Sequence, residues 1–414
     1  MSDRAPADDV GARLDEHLAP FVESRDFSGY VLLARGGEIV VSRGYGWAQW
    51  EFEVPHTADT RYWAGSISKL MTSVAFDALA AAGTISRDDP LATYLPDFPE
   101  VEGITLAHLL DHTSGLARDL VLGSDRTEPH PTRELVDRIA DLPRLGRPGE
   151  AEAYSNNGYV VLARVLEVVS GESHDEAMRR VVLEPRGMRA TTCPDLLDVV
   201  PRLAPGYLAG PGFGTLRRAA YFNVRNEPGA GAFFTTPMDL WAFARSLRAY
   251  DDQAEPVGDR RDRRFGHNGL GNGYAAYCDR YPDLDAEVVM LANVETGLFG
   301  RLRDDLRDLL FGRDPVPWEP LPEPLPYDAD AGARLVGDYD LGPAAPPLTI
   351  RVGAAGLEVS AGESFHPLTS IGVDEYFMRL KFARLSFTGT GTGLTMTWSQ
   401  DGWAAPLPRR TSAG

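Results

Sequence analysis

The stretch Gly65-Ser66-Ile67-Ser68-Lys69-Leu70-Met71-Thr72-Ser73-Val74-Ala75-Phe76-Asp77-Ala78-Leu79-Ala80-Ala81-Ala82-Gly83 decides how this chain is read. Leu70, Val74, Ala75, Ala78 and Leu79 recur at helical spacing and Gly83 supplies a stop, which predicts a helix over Ser66 to Ala82. Residues three apart lie on one helical face, so the Ser66 hydroxyl and the Lys69 amine point into the same space. Helix-end potential and partial burial both lower the pKa of Lys69, and a neutral amine can accept the serine proton. The chain has only two lysines, Lys69 and Lys381, against 39 arginines. A sequence that uses Arg for almost every positive charge keeps Lys beside Ser66, where a guanidinium could not deprotonate.

Outward from this helix, Ser28 to Arg35 and Glu38 to Ala48 alternate or run apolar around Gly36-Gly37, the pattern of a β-hairpin with a glycine turn. From Asp88 to Tyr250 the pattern is mainly helical, with segments at Thr105 to Asp111, Arg133 to Asp141, Asn157 to Ser170 and Pro237 to Tyr250. Strand signals return at Gly273 to Asp279 and Ala286 to Asn293, followed by a charged amphipathic helix from Gly297 to Phe311. Six prolines between Asp314 and Tyr327 mark an extended spacer. Short strand candidates at close spacing follow, from Leu348 to Ser399. The expected fold is α/β (α+β), an antiparallel sheet flanked by helices with an inserted helical domain. The expected division is 1–313 with a helical part over about 88–250, a proline-rich linker over 314–327, and a small antiparallel β-domain over 328–414.

At 414 residues, 43% hydrophobic and 24% charged, the chain is long enough for two or three domains and too balanced to be wholly disordered. Its net charge of −19 and the lack of a basic cluster with interleaved aromatics argue against nucleic acid as a partner. Cys193 and Cys278 are far apart and show no metal spacing, against a disulfide scaffold or a thiolate zinc site. Met1 to Asp26 has no basic n-region and no apolar h-region, and no run reaches about 18 apolar residues, so a cytoplasmic protein with no membrane partner is expected.

Two further stretches carry chemistry. Tyr154-Ser155-Asn156 lies between a turn and a helix, where a phenol of depressed pKa can relay a proton and the amide can hold a carbonyl; read alone, it also fits a core tyrosine followed by a helix cap. Gly266-His267-Asn268-Gly269-Leu270 stands just ahead of the strand at Gly273. Its glycines let backbone approach a ligand closely and an exposed N–H can donate to an oxyanion, although His267 read alone is equally a solvated loop histidine. His108 and His112 have the i,i+4 spacing of metal ligands, but position 109 is Leu where a metallohydrolase motif has Glu, and no third ligand is near. No metal or cofactor is expected.

Together, Ser66-x-x-Lys69, Tyr154-Ser-Asn156 and His267-x-Gly269, in this order and with these gaps, resemble the serine β-lactamase and penicillin-binding protein superfamily, most closely its class C β-lactamase-like hydrolases. Supporting stretches are Ile104 to Leu116, Tyr154 to Tyr159 and Gly231 to Leu240, so the resemblance covers about Phe27 to Glu295. It implies the β-lactamase/transpeptidase-like fold and an acyl-enzyme mechanism with Ser66 as nucleophile, Lys69 as base and Tyr154 as proton shuttle. Asn156 would bind the acyl-side amide or carbonyl, His267 would support Tyr154 and contact substrate, and the N–H groups of Ser66 and Leu270, with Gly269 beside them, would form the oxyanion hole. Residues 328–414 look like the lipocalin-like appendage of such hydrolases, which either shapes the cleft or only packs. His267 stands where many relatives carry Lys, which weakens recognition of a substrate carboxylate and with it penicillin hydrolysis. The implied function is a cytoplasmic serine hydrolase or transacylase, of the esterase, D-aminopeptidase or transacylase branch, acting on an ester or amide such as a D-amino-acid-containing peptide or a natural-product intermediate. Two alternatives stand beside it: a peptide cyclase passing the acyl group to an amine or alcohol, and a non-catalytic ligand-binding member of the fold.

Overall fold

The computed structural model describes residues 7–99, 103–195, 197–257, 262–342, 346–360 and 364–410. Residues 1–6 and 411–414, the two ends of the expected domains, lie outside the described residues. The chain opens with helix α1 (Ala7–Glu23) and a hairpin of β1 (Gly29–Arg35) and β2 (Glu38–Tyr45). Gly36 and Gly37 take the φ values of +62° and +83° that this turn requires. The principal helices that follow are α2 (Ile67–Ala81), α3 (Leu106–Leu110), α4 (Thr132–Ala140), α5 (Asn156–Ser170) and α6 (Pro237–Ser246). Strands β3 (Glu255–Val257), β4 (Asp262–Gly271), β5 (Tyr274–Tyr281) and β6 (Ala286–Ala292) return the chain to the sheet, and α7 (Phe299–Leu310) ends this part.

The six strands form one antiparallel sheet in the order β2-β1-β6-β5-β4-β3. Because β1 pairs with β6, with Leu32 opposite Val289, the helical part is an excursion out of a sheet built from both ends of the segment. Residues Gly29 to Ala34 are all buried, since helices cover both sheet faces. On one face Val31, Leu33 and Met290 meet Leu14 and Leu18 of α1 and Leu302 and Leu306 of α7. On the other, Leu32, Val289 and Leu291 join Ile67, Met71 and Val74 of α2 and Phe243 of α6. Each such leucine or isoleucine contributes roughly 1.5–3 kcal/mol by leaving water. Helix α2 is therefore central, with nine consecutive or near-consecutive positions from Ile67 to Phe76 buried.

Two features add to the reading of the sequence. The region 88–250, read as mainly helical, also carries short strands: Phe234–Thr235 pairs with Tyr62–Trp63, and Tyr207–Ala209 lies parallel to Val294–Glu295. These short pairs tie the insert to the sheet-bearing part. Residues 266–270 are also not a loop before a strand but the second half of β4, paired with β5 so that His267 opposes Cys278 and Gly269 opposes Ala276. Three glycines in ten residues hide the alternating pattern, and they are there because another backbone approaches.

Past the proline segment, which has no helix or strand over 314–327, a four-stranded sheet and a five-stranded sheet enclose a third core around Tyr339, Ile350, Val359, Leu385 and Met396. This antiparallel unit is seated on the rest by Arg379, which is buried and bonds Asp26 Oδ1 at 2.7 Å and the carbonyls of Gly212 and Thr215 at 2.8 Å. Among the described residues no helix is long and apolar enough to cross a membrane.

Candidate active site

Ser66 stands at the N-cap of α2, at the end of a tight approach between two backbones. Gly65 has φ +54°, and a Cβ on it would meet Gly269 Cα at 3.0 Å; a Cβ on Gly269 would collide with the Ala64 carbonyl. Glycine at both positions lets β4 run directly beside the start of α2. That brings Leu270, immediately after Gly269, next to the turn carrying Ser66, while its side chain remains 47% exposed.

One helical turn on, Lys69 Nζ lies 3.0 Å from Ser66 Oγ and donates to the Ala230 carbonyl at 2.9 Å. The lysine is only 2% exposed. Burial pulls its pKa from the usual lysine range to about 8, against the opposing fields of Glu227 and Asp119, with Arg118 adding to the depression. The carbonyl of Ala230 reaches it because Gly229, at φ +72°, turns the chain tightly over α2, where Thr72 Oγ1 holds the Gly229 carbonyl at 2.9 Å.

Tyr154 arrives from the other side. Ser155 caps α5, accepting from Gly158 N at 3.0 Å and donating to the Ala117 carbonyl at 2.8 Å, so the residue before the cap is held in place. The Tyr154 hydroxyl donates to Ser66 Oγ at 2.9 Å. Its ring packs against His112, with centroids 4.4 Å apart, and the Arg118 guanidinium and Lys69 Nζ each lie 5.1 Å from its centroid. The depressed phenol pKa expected from sequence is corrected here: burial raises it, outweighing the Ser66 hydrogen bond and Arg118. At neutral pH Tyr154 is a protonated phenol, suited to donating and relaying a proton and unsuited to standing as a phenolate.

The remaining residues fall around this centre. Asn156 Nδ2 is held by Asp119 Oδ1, and Asn156 Oδ1 is buried without a hydrogen-bond partner. His267 sits half-buried on β4, its Nδ1 2.6 Å from the Asn268 carbonyl. A carbonyl only accepts, so Nδ1 carries the proton and Nε2 is left as an acceptor. Burial lowers the His267 pKa to about 4, so the ring is neutral at ordinary pH. Among the described residues its bond runs along its own strand, and the Tyr154 hydroxyl goes to Ser66 instead.

The two histidines of metal-like spacing part company. Helix α3 ends at Leu110, His108 Nδ1 accepts from Thr105 N, and His112, at φ +56°, turns back to accept from Ser155 N at 3.1 Å. His112 thus braces the Tyr154 segment.

Sequence reasoning missed Glu227 and Trp63. The Glu227 carboxylate occupies the space a β-carbon on Gly231 would take, and Trp63, whose Nε1 donates to the Gly231 carbonyl, packs against Gly65, Gly231 and Phe222. Phe222 and Tyr274, against which Trp63 packs, line a cavity of about 360 Å3 together with Tyr221, Phe234 and Asn272. No signal singled out Glu227, an acid in a loop ahead of Pro228-Gly229. Trp63 had one, a large aromatic two residues before the Gly65-Ser66 turn.

Comparison with known proteins agrees with this geometry. The family model described as Beta-lactamase matches residues 14–260. The chain is 28% identical over 237 residues to the putative penicillin-binding protein PbpX of Bacillus subtilis, covering 56% of this chain and 58% of the relative. It is 27% identical over 232 residues to the teichoic acid D-alanine hydrolase of Staphylococcus aureus, covering 56% of each. The chain therefore spans a little over half the length of these curated relatives. The solved structure of SurE superposes with a TM-score of 0.63 at 22% identity, covering 98% of this chain and 99% of that one; SurE has also been solved with D-Leu. The similarity to SurE shows a shared fold that includes the C-terminal β-unit.

Proposed function

The chain belongs to the β-lactamase family, and on that premise we propose that it is a serine acyl-enzyme hydrolase or transacylase for esters and amides of D-amino acids. The observation that carries the proposal is the convergence on Ser66 Oγ of Lys69 Nζ at 3.0 Å and the Tyr154 hydroxyl at 2.9 Å. Neutral Lys69 takes the serine proton as Oγ attacks the substrate carbonyl. The N–H groups of Ser66 and Leu270 receive the oxyanion. As the tetrahedral intermediate collapses, the Tyr154 phenol gives its proton to the departing alkoxide or amine and is replenished from Lys69. Water, or an amine or alcohol that reaches the ester, then takes the acyl group by the reverse proton path.

Three features support the substrate class. The names of the relatives point to D-alanyl and D-amino-acid chemistry. The aromatic cavity lined by Phe222 and Tyr274 suits an apolar side chain on the acyl group. A neutral His267 offers no fixed cation to the carboxylate of a penicillin, which argues for slow penicillin turnover.

Intact-protein mass spectrometry after incubation with a D-alanyl ester, a D-leucyl amide and a penicillin tests this, with Ser66→Ala as control. The expected result is a D-aminoacyl adduct on the unsubstituted protein only, released faster when an amine is added if transfer competes with hydrolysis. An adduct that persists in Ser66→Ala, or no adduct and no product across the panel, overturns the reading.

A further inference from the structure

We propose that Glu227 is a specificity residue that binds the free ammonium group of the acyl substrate, so that the preferred substrates are D-aminoacyl compounds with an unblocked amine. The inference rests on the acyl-enzyme reading above and goes beyond it by naming which D-acyl groups are accepted.

The geometry leads there in three steps. First, Glu227 stands close enough to the nucleophile's lysine for the two charges to act on each other, and Lys69 Nζ is itself 3.0 Å from Ser66 Oγ. Its carboxylate fills the space above Gly231, the residue next to the Ala230 carbonyl that holds Lys69, and Trp63 Cζ2 flanks the same spot. Second, that carboxylate has no hydrogen-bond or ion-pair partner among the described residues, although most acidic groups of this chain that approach burial are matched with arginine: Asp26 with Arg379, Asp279 with Arg303, Glu287 with Arg280. Lys69 is close enough to act on it through space, but the lysine amine is committed to Ser66 and Ala230. A partly exposed carboxylate with no protein donor is open to a ligand that brings one. Third, Asn156 Oδ1 is likewise buried without a donor, its amide nitrogen being held by Asp119. Both groups are acceptors, which matches a substrate rich in N–H donors and mismatches a carboxylate or phosphate.

The charge pattern agrees. The ionisable groups acting on Lys69 are Glu227, Asp119 and Arg118, and those acting on Glu227 are Lys69 and Asp119. Burial pushes the Glu227 carboxyl up, and a bound ammonium would favour its ionised form, as Lys69 does. An ammonium one carbon from the acyl carbonyl on Ser66 would enter the neighbourhood of Lys69 Nζ, the cation that already acts on Glu227.

The test compares D-leucine p-nitroanilide with N-acetyl-D-leucine p-nitroanilide, for the unsubstituted protein and for Glu227→Gln. The unsubstituted protein is expected to prefer the free amine by at least tenfold in kcat/KM. In Glu227→Gln the ratio of the two kcat/KM values falls toward one, mainly through KM of the free-amine substrate; any change common to both, such as an altered Lys69 field, cancels in the ratio. Equal use of both substrates by the unsubstituted protein overturns the inference without needing any variant. So does a ratio that Glu227→Gln leaves in place. Labelling of Ser66 by p-nitrophenyl acetate with neither anilide turned over also overturns it, while leaving the acyl-enzyme reading intact. No labelling by any of the three removes both.

Discussion

Lys69 has to be neutral to take a proton, and its surroundings make that possible close to physiological pH. Burial drags its pKa to about 8 while Glu227 and Asp119 pull the other way. The sign for activity follows directly: below about pH 8 Lys69 is protonated and cannot act as base, so kcat/KM is expected to fall close to tenfold per unit as pH drops. Above it the activity levels off, because the phenol of Tyr154 titrates higher than a free tyrosine. His112 and His267, both lowered to about 4, stay neutral across this range and contribute no limb. A pH–rate profile with its ascending limb near 6.5 would assign the base to a histidine instead. Lys69→Arg keeps the charge but cannot deprotonate, and is expected to lower kcat by about 10²–10⁴ with folding retained, measured with a D-alanyl ester and by circular dichroism. At this scale Ser66, Lys69 and Tyr154 were readable because motif order and the scarcity of lysine single them out. Glu227 was not, since a lone acid before Pro-Gly reads as loop solvation until the fold lays it over Gly231.

Strand β4 shows why elements around the Ser66 site resist pattern reading. Asp262–Gly271 contains no alternation of apolar and polar residues, and Gly266, Gly269 and Gly271 suggest a loop. The hairpin at β1 and β2 is legible because its job is core packing, and periodicity reports packing. Strand β4 instead runs against the backbone of Ala64 and Gly65, just before Ser66, and glycine is the residue that permits the approach. Gly269→Ala tests this, since a methyl group there collides with the Ala64 carbonyl and pushes the strand from the start of α2. Loss of one oxyanion donor by such a shift costs on the order of 10²–10³ in kcat. The expected result is a fall of about that size in the rate of Ser66 acylation by p-nitrophenyl acetate, with the far-ultraviolet circular dichroism unchanged. Full activity in Gly269→Ala would show that the oxyanion contact does not depend on this approach. The helices α2 and α5, by contrast, announce themselves by spacing and caps, and they position Ser66 and Tyr154 from opposite sides.

Across the whole molecule, a buried ion pair whose worth can be measured helps fasten the C-terminal β-unit to the sheet-bearing part. Its presence was visible in the sequence as a proline-rich break followed by short strands, but its seating was not, because no local pattern reveals that Arg379 finds Asp26 more than 350 positions away. Both side chains are buried, at 2% and 0% exposure. Burial alone raises the Asp26 carboxyl, and Arg379 opposes that rise. The guanidinium also ties up the carbonyls of Ser24, Arg25, Gly212 and Thr215, so it closes several main-chain acceptors at once. Arg379→Met keeps the bulk and removes the charge, leaving Asp26 buried without its counter-ion, which costs about 3–5 kcal/mol. Urea unfolding should show that loss as a lowered midpoint. The double variant Asp26→Asn with Arg379→Met removes the stranded charge and is expected to recover part of the stability, giving a coupling energy well above the scatter expected for independent sites. Strict additivity would mean that the pair does not hold the two parts together, and that the seating rests on the apolar contacts of Phe213 with Phe377 and of Phe21 with Phe382.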